Sequence, residues 1–147
     1  MIENMVKNFA HLISTIGYIP NGNRSYFIGR SQPPFFSLMV RLLAEEKGSN
    51  ILAEYYQEME TEYLFWMHGK EKVNAQNPTN EHCVLTPHGI LNRYYDQNQS
   101  PRAEMYQTDL EEAETTAQPP EELFGHLRAA CESGWDFSSR WLNDPQD

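Results

Sequence analysis

Basic residues and cysteines are both scarce in this sequence of 147 residues. Lys and Arg total 11 against 21 Asp and Glu, which gives a net charge of -10. Such a surface repels phosphate backbones and acidic lipids, so we expect neither nucleic acid nor a membrane as a partner. The two cysteines, Cys83 and Cys131, are far apart in sequence and fit two reduced thiols or one disulfide, so they leave the redox compartment open.

Long apolar runs and cofactor motifs are also missing. Polar residues interrupt the N-terminal apolar segment, which excludes a secretory signal core or a membrane span there. The histidines show no pair at zinc-ligand spacing, the serines have no G-x-S-x-G context, and no glycine-rich phosphate loop occurs. The sequence therefore predicts no metal site, no nucleotide and no cofactor.

Helical periodicity dominates the sequence. Apolar residues recur every three or four positions from Ile2 to Ile16, just before Gly17, and this spacing predicts an amphipathic helix that ends at the glycine. Pro33 and Pro34 can open a second helix, whose apolar residues cover most of its circumference. A helix of that kind needs neighbours on several sides.

The middle of the sequence predicts one more helix and a small hairpin. Asn50 is a residue type suited to the N-cap of a third helix, which would run to Gly69. The polar residues 70–81 predict a loop, and two short apolar runs around Pro87 and Gly89 predict a β-hairpin.

Two further helices are predicted, one over residues 103–116 and one that starts after Pro119 and Pro120 and runs to a stop near Gly134. The fold class is therefore all-α with a small β-hairpin, built around one core. Antiparallel helical hairpins arranged in a ring and a simple helix bundle both fit this pattern.

Polar and aromatic residues collect in three segments between the predicted helices, where sites are commonly built. The candidate side chains are Asn21, Arg30 and Gln32 in "IPNGNRSYFIGRSQPP", Arg102 and Glu104 in "SPRAEMY", and Glu132 and Asp136 in "ESGWDFSSRW". Arg, Asn and Gln can bind neutral hydroxyls as readily as carboxylates. Alternatively, the first segment is a loop that satisfies its own backbone, and the Arg and Glu of the second are solvated charges at a helix start.

The third segment offers two acids, Glu132 and Asp136. Gly134 between them favours a break in the helix, which would aim the two carboxyls differently. A carboxyl beside Trp135 is partly desolvated, and desolvation raises its pKa toward the range that a general acid needs. The tryptophans Trp135 and Trp141 suit a hydrophobic core as well as a sugar platform, so residue types alone do not decide between these functions.

Two of these segments closely resemble the trehalase family, the inverting glycoside hydrolases that split α,α-trehalose. The matching stretches are "IPNGNRSYFIGRSQPPFFSLMV" and "ESGWDFSSRWL", and the region from Leu91 to Thr116 is similar to the family's connecting region. The resemblance runs from one end of the chain to the other. It implies that the helices form part of an (α/α)6 toroid of helical hairpins, with trehalose bound in a pocket at one end of the ring.

The resemblance also implies a role for each candidate. Asp136 becomes the general acid that protonates the oxygen between the two glucose units, and Glu132 becomes a supporting residue. The implied sugar-binding residues are Asn21, Arg30, Gln32, Arg102, Glu104 and the backbone around Gly134. Ala103 is a departure, because the family usually has proline between this Arg and this Glu.

The resemblance further implies an incomplete enzyme. An inverting glycosidase needs a second carboxylate, roughly 6.5 to 9.5 Å from the first, and in trehalases that base follows well after the acid motif. We therefore expect residues 1–147 to be the middle portion of a trehalase catalytic domain, an incomplete single domain that is inactive when isolated. The alternative is a truncated chain that serves as a non-catalytic sugar-binding or helical interaction module.

The sequence says less about location. The parent enzyme would be cytoplasmic or periplasmic, with a slight preference for the cytoplasm, and its oligomeric state is not predicted.

Overall fold

A computed structural model describes residues 1–135 and 138 of the chain. These described residues form six α-helices and a three-stranded antiparallel sheet, distributed over two compact units. The first unit comprises Met1–Pro20 and Ser31–Arg93, and the second comprises Asn21–Arg30 and Tyr94–Asp147. No described helix is both long enough and apolar enough to cross a bilayer.

The helices of the first unit are α1 (Ile2–Ile16), α2 (Phe36–Lys47), α3 (Asn50–Glu54) and α4 (Tyr56–Met67). Helix α1 packs against α2 and α4, and Ile13, Phe36 and Val40 are fully buried at the centre of the resulting core. Gly17 ends α1 in the left-handed conformation with φ 98°, and its N–H donates to the carbonyl of Ile13 at 2.7 Å. The predicted first helix and its glycine stop are therefore confirmed.

Two helix boundaries differ from the prediction. Helix α2 begins at Phe36, so the two prolines precede this helix and do not open it. The predicted third helix is divided at Tyr55 into α3 and α4, and Asn50 is its first helical residue, not its N-cap. Tyr55 is buried, and its ring lies edge-to-face on Phe36 at 6.1 Å between centroids. This aromatic contact buries the Tyr55 ring in the core, and it thereby stabilises the break between α3 and α4.

The sheet has the strand order β1 (Thr79–Asn80), β2 (Cys83–Thr86) and β3 (Gly89–Asn92). Thr86 pairs with Gly89, so the turn between β2 and β3 is the Pro87-His88 pair, as the sequence predicts. The third strand, β1, lies in the segment that was predicted to be a loop. That prediction was wrong in part, because a strand of two residues is too short to show a period.

The second unit contains two short 3-10 turns, at Ser25–Phe27 and Ala103–Met105, and the helices α5 (Tyr106–Thr115) and α6 (Pro120–Ser133). Helix α6 begins at Pro120, one residue before the predicted start, and its predicted stop at Gly134, whose φ is 72°, is confirmed. Helix α5 starts three residues later than predicted, because the 3-10 turn comes first.

Large apolar side chains remain exposed on the first unit. Ile2 of α1 is 67% exposed and Leu42 of α2 is 61% exposed, beside a groove of about 810 Å³ that both helices line. The neighbours predicted for α2 are therefore present on only part of its circumference.

Glu62 of α4 is a buried carboxyl, with only 3% of its surface exposed. Burial raises its pKa to about 7, although a hydrogen bond from the backbone N–H of Phe36 partly opposes this effect. The folded state therefore favours the protonated carboxyl at a pH where the unfolded chain is already ionised.

Ionisation of Glu62 consequently costs stability as the pH rises from about 4.5 to about 7. Glu62→Gln keeps an acceptor for the Phe36 N–H without the charge. We expect it to stabilise the chain by up to about 3 kcal/mol near pH 8 and to have little effect near pH 4.5. Thermal unfolding at the two pH values measures the difference, and the exposed Glu60→Gln on the same helix is the control. An equal shift at both pH values would contradict this account of the buried carboxyl.

Candidate functional site

A cavity of about 910 Å³ lies in the second unit, within the size range of small-molecule sites. Its lining residues come from three segments: Asn21, Phe27 and Arg30; Arg102, Glu104 and Met105; and Cys131, Gly134, Trp135 and Ser138. Five of the residues expected to bind sugar are thus brought together, namely Asn21, Arg30, Arg102, Glu104 and Gly134. The three segments are far apart in sequence, so the folded unit alone makes them neighbours.

Arg30 is held by an ion pair at the wall of this cavity. Its Nη1 lies 2.6 Å from Oε1 of Glu104, and its Nη2 donates to the carbonyl of Tyr26 at 3.2 Å. Burial acts to lower the pKa of Arg30 and to raise that of Glu104, but the ion pair outweighs burial in both cases. The pKa of Arg30 is therefore raised and that of Glu104 lowered, so both side chains are charged at neutral pH.

Arg102 is held by a second, deeper ion pair. Asp109 in the first turn of α5 is fully buried, and its Oδ1 lies 2.6 Å from Nη2 of Arg102. The Nε of Arg102 donates to the same carboxylate, and so does its backbone N–H, at 2.7 Å. Burial acts to raise the pKa of Asp109, but these bonds outweigh it and the pKa is lowered. The hydrogen bonds to Asp109 also raise the pKa of Arg102.

These pairs replace the simpler alternative that Arg102 and Glu104 are solvated charges. Arg102 is only 7% exposed and bound to Asp109, so that alternative was wrong for Arg102. Glu104 is exposed, as the alternative has it, but is bound to Arg30. Asp109 was not predicted as a site residue. Its position in the first turn of α5 could have indicated a role, because a carboxylate is favoured there and faces the chain that enters the helix.

A third ion pair supports the chain that leads into Arg102. Arg128 of α6 binds Asp96 at 3.1 Å and donates to the carbonyls of Ser100 and Pro101 at 2.7 and 2.9 Å. Gly29, with φ 103°, lies so close to Asp96 that an added Cβ would be 2.9 Å from Oδ1. A larger residue in place of Gly29 would therefore push the loop that carries Arg30 away from the Arg128–Asp96 ion pair.

Asn21 connects the same loop to the end of α6. Its backbone N–H donates to the carbonyl of Arg30 at 2.8 Å, and its side-chain amide donates to the carbonyl of Cys131 at 3.4 Å. The loop thus satisfies part of its own backbone and also presents side chains to the cavity, so the two interpretations of this segment are compatible.

The other expected site residues are placed differently. Gln32 belongs to the first unit, where its backbone N–H donates to the carbonyl of Ile19 at 2.7 Å. Glu132 is buried in α6, and its Oε2 accepts the Tyr95 N–H at 2.6 Å, which suits a supporting residue. Asp136 lies outside the described residues.

The chemistry of the cavity suits a neutral polyol. Two guanidinium groups, an amide and a carboxylate offer donors and acceptors for hydroxyls, and the rings of Phe27 and Trp135 offer apolar faces. Trp135 is 54% exposed, so of the two alternatives left open for it the buried core position does not apply. Across residues 1–135 and 138, no three His, Cys, Asp or Glu side chains are placed to hold a metal ion. The donors and rings of this cavity are compatible with binding a neutral polyol.

Comparison with known proteins identifies the family. The trehalase family model matches residues 1–147, and the chain belongs to the trehalase family of glycoside hydrolases, as the sequence resemblance predicts. The chain is 47% identical over 146 residues to the periplasmic trehalases of Shigella flexneri and of Escherichia coli K12/DH10B. Each match covers 99% of this chain but 26% of the relative. The chain therefore spans about a quarter of the length of these relatives.

Because the Arg102–Asp109 pair is buried, we expect a conservative substitution of Asp109 to lower the free energy of unfolding strongly. Asp109→Asn removes the charge with little change in size and leaves a buried guanidinium without its counter-ion, at a cost of about 3 to 5 kcal/mol. Urea unfolding at neutral pH measures this loss. Glu114→Gln makes the same charge change on the exposed face of α5, and we expect an effect within about 0.5 kcal/mol. Equal effects of the two variants would show that the pair does not support the site.

Proposed function

We propose that residues 1–147 are the acid-bearing portion of an α,α-trehalase, which hydrolyses trehalose to two glucose molecules with inversion. The observation that supports this proposal best is the cavity of the second unit, lined by five residues expected to bind sugar in a chain of the trehalase family. The relatives are named for the same activity.

In this mechanism Asp136 donates its proton to the oxygen between the two glucose units, so that the leaving glucose departs as a neutral alcohol. A second carboxylate, outside residues 1–147, activates water on the opposite face of the sugar at roughly 6.5 to 9.5 Å from the first. This chain therefore contributes the acid but not the base.

The residues around the cavity bind the substrate. Glu104 fixes Arg30, and Asp109 fixes Arg102. The remaining N–H donors of both guanidinium groups are therefore already in place to bind sugar hydroxyls. Asn21 and the backbone at Gly134 bind further hydroxyls, and Gln32 belongs to the same set of sugar ligands. Pre-organised donors of this kind bind the substrate at a low entropic cost.

The wider architecture follows from the same proposal. The helices belong to an (α/α)6 toroid, and the chain is the middle portion of its catalytic domain. Two observations support this: the relatives are about four times as long as the chain, and Ile2 and Leu42 expose apolar surface beside a groove. The relatives are named as periplasmic, so the periplasm is one of the two compartments expected, and the preference for the cytoplasm has no support from them.

A hybrid enzyme tests the proposal. Residues 1–147 replace the corresponding quarter of the Escherichia coli periplasmic trehalase, to which they are 47% identical. We expect the hybrid to hydrolyse trehalose and to release equal initial amounts of α- and β-glucose. Inversion at one anomeric carbon gives β-glucose, and the leaving unit keeps its α configuration. Proton NMR in the first minutes of reaction resolves the two anomers.

Matched variants of the hybrid assign the acid. Asp136→Asn should lower the rate by about 10²- to 10⁴-fold, and Glu114→Gln should leave it unchanged. A folded hybrid that binds trehalose without releasing glucose would favour the sugar-binding module instead. Initial release of α-glucose alone would contradict inversion.

A further inference from the structure

Cys131 is a cavity residue to which the proposed hydrolysis gives no role. It lies in the last turn of α6, is partly exposed and lines the cavity. The Nη1 of Arg102 lies 2.9 Å from its Sγ. The sulfur is therefore in contact with a cation, and the residue that carries it borders the cavity.

The contact with Arg102 favours a thiolate. A guanidinium has only donors, so the sulfur must accept the bond, and a negatively charged sulfur is the better acceptor. Asp109 binds Nε and Nη2 of Arg102, which leaves Nη1 directed at the sulfur. The donor is thus held in place before any reaction.

Arg30 gives an independent sign that this wall favours an anion. It lines the same cavity and is 2% exposed, and its Nε has no hydrogen-bond partner among the described residues. A buried donor without a partner favours a nearby negative charge or acceptor. Electrostatic interaction with Cys131 also contributes to the raised pKa of both Arg30 and Arg102.

The other cysteine is in an opposite setting and serves as an internal reference. Cys83 is fully buried, and its Sγ lies 3.5 and 3.6 Å from the carbonyls of Trp66 and His68, as a thiol donor would. Burial raises the pKa of the Cys83 thiol. A thiol of this kind is inert toward reagents in solution.

We propose that Cys131 is a modification site, a cavity thiolate that Arg102 activates toward small soft electrophiles. Iodoacetamide is the probe. The thiolate sulfur attacks the CH₂ carbon, a C–S bond forms, the C–I bond breaks and iodide leaves with the electron pair. The thiol proton has already gone to solvent. The adduct then occupies the cavity beside Arg102.

Competitive alkylation of the unmodified chain tests the proposal. Trypsin cleaves after Lys72 and Arg93 and after Arg128 and Arg140, so the two cysteines appear in separate peptides and mass spectrometry gives both rates from one sample. At pH 7 we expect Cys131 to react at least about tenfold faster than Cys83. We also expect the pH of half-maximal rate for Cys131 to lie below that of the same cysteine in urea.

The urea-unfolded chain is the control, because both thiols then react at similar rates. Arg102→Lys keeps a positive charge but removes the directed fork, and we expect it to move the half-maximal pH of Cys131 upward. If this variant does not fold, the pH profile of alkylation of the unmodified chain still tests the proposal. A Cys131 rate no greater than that of Cys83, or a half-maximal pH no lower than in urea, would overturn the proposal. Neither readout depends on trehalose hydrolysis.

Discussion

The buried ion pair between Arg102 and Asp109 is the interaction on which the candidate site depends. A fully buried carboxylate is tolerated because three donor groups of Arg102, namely Nε, Nη2 and the backbone N–H, satisfy it. The pair fixes the chain that enters α5, and with it the neighbouring Glu104. Glu104 in turn holds Arg30, and Arg102 also contacts Cys131. The proposed sugar binding and the proposed thiol chemistry therefore depend on the same guanidinium.

Much of the fold follows from local signals in the sequence. Gly17 and Gly134 end their helices because each adopts a positive φ that other residues resist. The break at Tyr55 was missed because it depends on a contact with a distant segment, and the strand β1 was missed because its two residues are too few to show a period. Tyr55 turns its ring onto Phe36, and β1 exists only because β2 pairs with it. Periodicity cannot report such contacts.

The candidate site divides in a similar way. Residue types and the family resemblance named Asn21, Arg30, Arg102, Glu104 and Gly134, and the cavity brings them together. Asp109 and Cys131 were missed because their importance lies in the partners that folding gives them. The sugar-binding roles of these five residues stay predictions. So do the roles of Asp136, which lies outside the described residues, and of Gln32, which belongs to the first unit.

An NMR titration of the chain with trehalose probes the proposed sugar site itself, because the Nε–H signals of Arg30 and Arg102 come from its two guanidinium groups. The account predicts saturable shifts of both signals and of the Cys131 amide at millimolar trehalose, without matching shifts for sucrose. Unchanged Nε–H signals of both arginines up to about 50 mM trehalose, in a chain whose spectrum shows it to be folded, would contradict it.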